Sequence, residues 1–163
     1  DLANNFGNLC QRVISFINNN CEGKVSRSKN LSKSDLNLIN QTIKLTSELK
    51  SMINNLNLNS YIKTVVDISF LTNKYINDEE PWKLRKENPE KMNNILHVSL
   101  EQIAKISILL NPIIPIASSK VLDALNIKNN ERNLEFLNNK DSSNILKKDL
   151  QIKNLNILFK KFS

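Results

Sequence analysis

The sequence predicts an all-α fold, a helical bundle of about five main helices followed by a C-terminal tail that wraps the bundle. Only two of the 163 residues are Gly and four are Pro, and so few turn-forming residues favour long helices over many short strands. Hydrophobic residues make up 40% of the chain, which is sufficient for one buried core. Apolar residues also recur at the three- and four-residue spacing of amphipathic helices.

The first predicted helix covers residues 1–19 and is amphipathic. Its apolar residues form one stripe at helical spacing: Leu2, Phe6, Leu9, Val13 and either Phe16 or Ile17. Gly7 lies inside this helix, where a glycine costs roughly 1 kcal/mol relative to alanine. Its presence therefore indicates that other atoms approach the backbone closely. Residues 20–31, which carry several basic side chains, are predicted to form a loop.

Two further helices follow, the second from Ser32 to about residue 55 and the third over residues 60–76. Ser32 and Asp35 have the spacing of a capping box, in which each side chain accepts a bond from the other residue's backbone N–H. The break at residues 77–81 ends in a proline, which interrupts helical hydrogen bonding. It is therefore predicted to separate the third helix from the fourth.

Proline also marks the remaining boundaries. Pro89 suits the first turn of the fourth helix, which is predicted to run to about residue 110. Residues 111–115 contain two prolines without N–H donors and predict a sharp corner, and a fifth helix follows. We expect residues 1–126 to form the bundle and residues 127–163, which are polar and irregular in pattern, to form the tail.

The composition favours some classes of protein over others. A net charge of +7 and a pI near 9.4 indicate an anionic partner, with nucleic acid favoured, although AT-rich codon usage would also raise the lysine content. Cys10 and Cys21 lack metal-site spacing and are typical of a reduced, cytoplasmic protein, so no metal site is expected. His97, the single histidine, is predicted at a helix surface or boundary. No apolar run is long enough to span a membrane.

Asn8 and Arg12 are candidate readers of a nucleic-acid base. They lie four residues apart in the first helix, beside its apolar stripe, and therefore point the same way. The Watson–Crick edge of cytosine offers N3 and O2 as acceptors and an amino group as donor. Arg can donate to those acceptors, and Asn can both donate and accept. Two solvated residues on an exposed helix face would have the same spacing.

Trp82, the only tryptophan, is a candidate platform for stacking. It follows Pro81, which fixes one backbone angle and stiffens the segment that carries the ring. A rigid, exposed Trp suits a single-stranded base, while a core position is the alternative because a lone Trp is usually largely buried. Five basic residues are weaker candidates for phosphate contacts: Lys83, Arg85, Lys86, Lys24 and Arg27.

Four segments, in order, resemble signature segments of the C-terminal anticodon-binding domain of bacterial-type methionyl-tRNA synthetases. They are residues 1–17 with an N-L-x-x-R core, 75–96 with Pro-Trp, 110–127 with P-x-x-P, and 155–163 with a closing L-F. The last segment departs from the family, because Lys160 and Lys161 stand where Pro-Arg is usual. The resemblance covers nearly the whole chain, which begins inside a helical pattern and is expected to be part of a larger protein.

This resemblance implies specific roles. Trp82, with Pro81 shaping the platform, would stack on the first anticodon base, a cytosine. Asn8 and Arg12 would hydrogen-bond to the anticodon of tRNA(Met). The parent enzyme would use ATP and Mg²⁺ to attach methionine to tRNA with a CAU anticodon, in a Rossmann catalytic domain N-terminal to this region. The chain itself would hold no catalytic residue and no cofactor, and its tail would pack toward that catalytic domain.

Two alternatives remain open. The chain could be the anticodon-binding domain of another class I aminoacyl-tRNA synthetase, although such a domain has no reason to combine Asn8 and Arg12 with the Pro81–Trp82 pair. It could instead be a helical protein-interaction module with Trp82 as a hot spot. Such a module would need no RNA, and its binding would depend little on salt.

Overall fold

The computed structural model describes residues 2–139 and 144–159. Within them the elements follow in the order α1, β1, α2, α3, α4, α5, α6 and β2. Their bounds are Leu2–Cys21, Lys24–Ser26, Lys33–Asn54, Leu58–Glu79, Pro89–Leu110, Pro115–Ala124, Leu134–Asn139 and Asp149–Gln151. Short 3-10 turns occupy Pro81–Lys83 and Asn129–Glu131. The predicted helical bundle is confirmed, with one short helix and a small sheet added to it.

Helix α4 forms the centre of the fold. Every residue from Asn94 to Leu110 is buried, because α1, α2, α3 and α5 all pack around this helix. Their inward-facing apolar side chains form one continuous core with those of α4. From Asn94 onward the polar residues of α4 are buried as well, so their hydrogen-bonding groups need partners inside the protein.

The predicted capping box at the start of α2 is confirmed and also joins two helices. The Ser32 hydroxyl accepts a bond from the Asp35 N–H at 3.1 Å, and the Asp35 carboxylate accepts one from the Ser32 N–H at 2.8 Å. The second Asp35 oxygen accepts the hydroxyl of Tyr75 in α3. Burial, and then this carboxylate, raise the pKa of Tyr75, so its hydroxyl remains a donor. The cap therefore fixes α2 against α3.

The prediction of a loop over residues 20–31 is wrong at residues 24–26. These residues form β1, which pairs antiparallel with β2 so that Val25 lies opposite Leu150. Both of these side chains are buried, while their neighbours in each strand are exposed. A three-residue strand is too short to show a hydrophobic period, and its partner lies near the other end of the chain. The sequence therefore carries little local signal for it.

Two buried polar side chains of α4 hold the segment that leads into β2. The Glu101 carboxylate accepts the backbone N–H of Ile145 at 2.9 Å and that of Leu146 at 2.8 Å. Nε2 of His97 lies 2.8 Å from the Lys147 carbonyl oxygen and donates to it. His97 is 0% exposed, so its predicted surface or boundary position is wrong. The His97 ring can lie in the core because its Nε2–H group donates a hydrogen bond to a backbone carbonyl of the tail.

The close approach predicted at Gly7 is also present. A Cβ at this position would lie 2.8 Å from Cδ2 of Phe159, which is inside van der Waals contact. The Phe159 ring therefore packs directly on the backbone of α1. A larger side chain at Gly7 would force the ring to move.

The buried Glu101 gives a prediction about stability and pH. Burial raises the pKa of Glu101 to about 7 from 4.5, although its two tail N–H bonds act in the opposite direction. Between these values the folded chain binds more protons than the unfolded chain, so stability is lost as the pH rises through 7. In the wild type, the free energy of unfolding should fall by up to about 1.4 kcal/mol per pH unit in this range. We expect Glu101→Gln to remove this fall. Free energies of unfolding from denaturant titrations across this range measure it.

Comparing the two proteins cancels the contribution of His97, while the effect of Glu101 on Lys105 is part of the measured difference. Burial lowers the pKa of His97, whose effect on stability has the opposite sign, but His97 is present in both proteins. Burial also lowers the pKa of Lys105 to about 8, which places its titration above this range. If the free energies of unfolding of wild type and Glu101→Gln changed in parallel with pH, the prediction would be wrong.

Candidate nucleic-acid interface

The backbone after α3 presents Trp82 at the surface. Glu80 has a left-handed backbone with a φ of 45°, which ends the helix and redirects the chain. Pro81 is buried and begins the 3-10 turn, so it anchors the segment, and Trp82 follows with 39% of its surface exposed. The tryptophan is therefore not a core residue, and its ring is partly open to solvent on a fixed backbone.

Arg12 of α1 lies over this ring. Its Cζ atom is 5.9 Å from the centroid of Trp82, close to the limit of about 6 Å for a cation–π interaction. Helices α1 and α3 pack against each other, and this packing brings together two residues that are far apart in sequence. Partial burial lowers the pKa of Arg12, but a guanidinium in a protein remains charged.

Two asparagines of α3, which the sequence analysis did not identify, hold the Arg12 guanidinium. Nη1 donates to Oδ1 of Asn77 at 2.8 Å, and Nη2 donates to Oδ1 of Asn73 at 3.2 Å. Helix α3 continues to Glu79, three residues beyond its predicted end. This extension places Asn77 on the same helix face as Asn73, since residues four apart are neighbours on a helix. The four-residue spacing of Asn73 and Asn77 is visible in the sequence. Asparagine is so frequent in this chain, however, that the spacing does not distinguish these two from the others.

Asn8 lies one helical turn before Arg12 and is exposed. One turn corresponds to about 6 Å along the axis, so Asn8 lies on the same side of α1 as the contact between Arg12 and Trp82. Three of the predicted base-contacting residues thus lie on one side of the bundle, and the buried Pro81 precedes the tryptophan. Together they combine an aromatic face, a cation and an amide.

Three of the basic candidates flank this surface. Lys83 follows Trp82 directly and pairs with Glu80 at 2.8 Å, with both side chains largely exposed. Arg85 donates to Oδ1 of Asn20 at 3.0 Å, near the C-terminal end of α1. Lys86 is exposed in the turn before α4. An exposed ion pair contributes little, so Lys83 can exchange Glu80 for a phosphate at small cost.

The other two basic candidates make their contacts with the tail. Lys24 is exposed in β1 and lies opposite Gln151 in the sheet. Arg27 donates to Oδ1 of Asn144, and its charge acts on Glu101 and His97 of α4. The structure therefore associates Lys24 and Arg27 with β2 and the tail rather than with Trp82.

Residues 2–139 and 144–159 contain neither a metal-binding cluster nor a membrane-spanning helix. No group of three or more His, Cys, Asp and Glu side chains there is arranged to hold a metal ion. Within the same residues, no helix is both long and apolar enough to cross a membrane.

The arrangement defines a class of domain. A rigid helical bundle presents a partly exposed tryptophan beside a guanidinium and an amide. A single-stranded base can stack on the ring, and its edge can be bonded by the two polar groups. Domains of this kind recognise unpaired nucleotides, such as those of an RNA loop.

The family is established by comparison with known proteins. Residues 25–163 match the model described as the anticodon binding domain of methionyl tRNA ligase, and the chain belongs to this family. The matched residues include Trp82 and both asparagines that hold Arg12, while α1, with Asn8 and Arg12, precedes them.

Relatives extend the similarity across α1. The methionine–tRNA ligase of Rickettsia prowazekii is 30% identical over 166 aligned residues, which cover 100% of this chain and 32% of that protein. The methionine–tRNA ligase of Brucella suis is 33% identical over 132 residues, or 81% of this chain and 26% of that protein. The chain thus spans about a quarter to a third of the length of these relatives.

A solved structure shows the same fold. The apo form of Mycobacterium tuberculosis methionyl-tRNA synthetase superposes with a TM-score of 0.87 at 23% identity, covering 100% of this chain and 33% of that one. At this identity the likeness establishes the fold. Identification of the chain as an anticodon-binding domain of the methionyl-tRNA ligase family, predicted from the four sequence segments, is confirmed.

Proposed function

We propose that this chain recognises the CAU anticodon loop of tRNA(Met) on behalf of a methionine–tRNA ligase. The remainder of that protein would attach methionine to the tRNA in a Rossmann catalytic domain N-terminal to this region, using ATP and Mg²⁺. The resemblance assigns these requirements to the catalytic domain. A cytoplasmic location, where tRNA is charged, is part of the proposal.

The observation that carries the proposal is the contact between Arg12 and Trp82. An exposed aromatic ring offers any base a face for stacking, but stacking alone distinguishes bases poorly. The guanidinium lies over that ring, and we infer that a base bound at the ring also meets the N–H donors of Arg12. Two of its N–H groups are engaged by Asn73 and Asn77. A guanidinium has five such donors, which leaves three for a nucleotide.

These donors favour cytosine at the first anticodon position. Cytosine presents N3 and O2 as acceptors on its Watson–Crick edge, and Arg12 can only donate. Uracil presents an N3–H in place of the N3 acceptor, so one favourable bond becomes a clash of two donors. Asn8, one turn earlier in the helix, can both donate and accept a hydrogen bond. It can therefore bond whichever group of the base edge Arg12 leaves without a partner.

The basic residues supply attraction without sequence preference. Lys83, Arg85 and Lys86 flank Trp82 and would contact the backbone phosphates of the loop. Lys24 and Arg27 lie with the sheet and the tail, and we assign them a weaker contribution. The tail itself, residues 127–163, would pack toward the catalytic domain beyond the bundle of residues 1–126.

The first test removes the stacking face. We expect Trp82→Ala, made in the full-length protein, to weaken binding of a CAU stem-loop RNA by about 1–3 kcal/mol, the contribution of one stacked base. Folding should change little because the ring is partly exposed. Fluorescence anisotropy measures the affinity, and thermal unfolding checks the fold. Ile116→Ala, at an apolar residue of α5 that is 77% exposed, is the control and should bind normally. An unfolded Trp82→Ala variant with normal binding per folded molecule would contradict stacking.

The second test concerns the phosphates. Affinity for the stem-loop should fall with salt, by roughly 0.7 log units per log unit of salt for each single-strand phosphate contacted. Lys86→Gln should lower this slope by about one contact and weaken CAU and UAU loops equally. Titrations at several salt concentrations measure both effects. An affinity that does not change with salt would indicate a partner other than a nucleic acid, as in a protein-interaction module.

The third test asks which residue reads the base. Arg12→Gln should weaken CAU binding and narrow the difference between CAU and UAU stem-loops, because Gln can accept a bond from uracil as well as donate to cytosine. Both loops are titrated with wild type and variant at two salt concentrations. A phosphate contact would instead give equal losses on both loops and a lower salt slope, and that result would leave Trp82 and Asn8 to explain specificity.

A further inference from the structure

Asn73 is the centre of a hydrogen-bond network that connects Arg12 to the interior of the bundle. Its Nδ2 group donates to Oδ1 of Asn5 at 2.6 Å and to the backbone oxygen of Ser69 at 3.2 Å. The same Asn5 oxygen accepts the hydroxyl of Ser69 at 2.7 Å. Ser69 is fully buried, while Asn5 and Asn73 are half-buried. The network therefore runs from the core to the surface.

This network determines which way the Asn73 amide faces. Its nitrogen points toward three oxygens, the side-chain and backbone oxygens of Asn5 and the backbone oxygen of Ser69. Its own oxygen points toward Arg12. With the amide reversed, oxygen would face oxygen and the Asn73 donor would face the Arg12 donor, so every bond would be lost. Asn5 thus fixes Asn73, although it makes no contact of its own with the guanidinium among the bonds described here.

The groups that bond to Arg12 are neutral. Asn73 and Asn77 engage two of its donors without opposing its charge. The carboxylates of neighbouring residues have other cations: Asp78 pairs with Lys74, and Glu80 with Lys83. The guanidinium is therefore held in place while its positive charge remains available to a ligand.

We propose that Asn73, oriented by Asn5, is a positioning residue that fixes the Arg12 guanidinium beside Trp82 and thereby sets the preference for cytosine. This inference rests on the proposed function, because it assigns the cause of the base selectivity that Arg12 provides there. Asn73 itself touches no base. Its effect on binding depends on Arg12.

The dependence is tested with a double-mutant cycle in the full-length protein. Binding of CAU and UAU stem-loop RNAs is measured for wild type, Asn73→Ala, Arg12→Met and the double variant. We expect Asn73→Ala to weaken CAU binding by about 3- to 10-fold, the effect of one lost hydrogen bond, and to narrow the ratio between the two loops. In the Arg12→Met background the same substitution should change affinity by no more than about twofold, because the interaction is already absent.

Two further variants separate positioning from folding. Asn5→Ala removes the acceptor that orients Asn73 and also the partner of the Ser69 hydroxyl. It should narrow the ratio of CAU to UAU affinity in the same direction as Asn73→Ala, and this effect should be lost in the Arg12→Met background. Asn55→Ala removes an exposed amide that bonds Ser51 at the far end of α2, and it should leave both affinities unchanged. Thermal unfolding of every variant identifies losses that come from the fold.

The outcomes distinguish this inference from the function on which it rests. Equal losses for Asn73→Ala in both backgrounds, or a CAU-to-UAU ratio that does not change, would overturn the positioning role while the wild-type preference for CAU upholds the proposed function. A wild-type protein that binds both loops equally would overturn the proposed function and the positioning role with it.

Discussion

Burial of α4 from Asn94 to Leu110 is the constraint on which the rest of the structure depends. A helix buried on all sides places polar as well as apolar groups in the core, and each buried polar group costs free energy unless it is hydrogen-bonded. Glu101 and His97 obtain their partners from the backbone of residues 145–147. The tail is therefore required by the core, and β2 and its pairing with β1 follow from the path that this anchoring gives the chain.

The same packing creates the surface that carries Arg12 and Trp82. Helix α3 lies against α4 and α1, and it continues far enough to carry Asn77 alongside Asn73. Where α3 ends, the left-handed Glu80 and the buried Pro81 direct Trp82 outward. No single element holds this surface together, because α1 supplies the cation, α3 the amides and the following turn the aromatic ring.

The individual interactions at this surface are weak, but together they hold the Arg12 side chain in one place. A cation–π contact near its distance limit and two bonds from a guanidinium to neutral amides contribute little to folding. They restrict Arg12 to one place, and in the proposed function this would lower the entropy lost when a nucleotide binds. Neutral partners also leave the charge of Arg12 uncompensated. A carboxylate in either asparagine position would hold the side chain more firmly and would oppose an anionic ligand.

The sequence by itself determined the helical bundle, the Ser32–Asp35 cap and the family, because helical periodicity, capping and signature segments are local patterns. It also placed Asn8, Arg12 and Trp82 among the candidates, although whether Trp82 is buried depends on how its turn packs, and only the tertiary structure decided that. The structure alone placed His97 in the core, paired Val25 with Leu150 and joined Asn5 and Asn73 to Arg12. Each of these contacts links residues distant in the chain, and the frequent asparagines are chemically alike until packing gives a few of them partners.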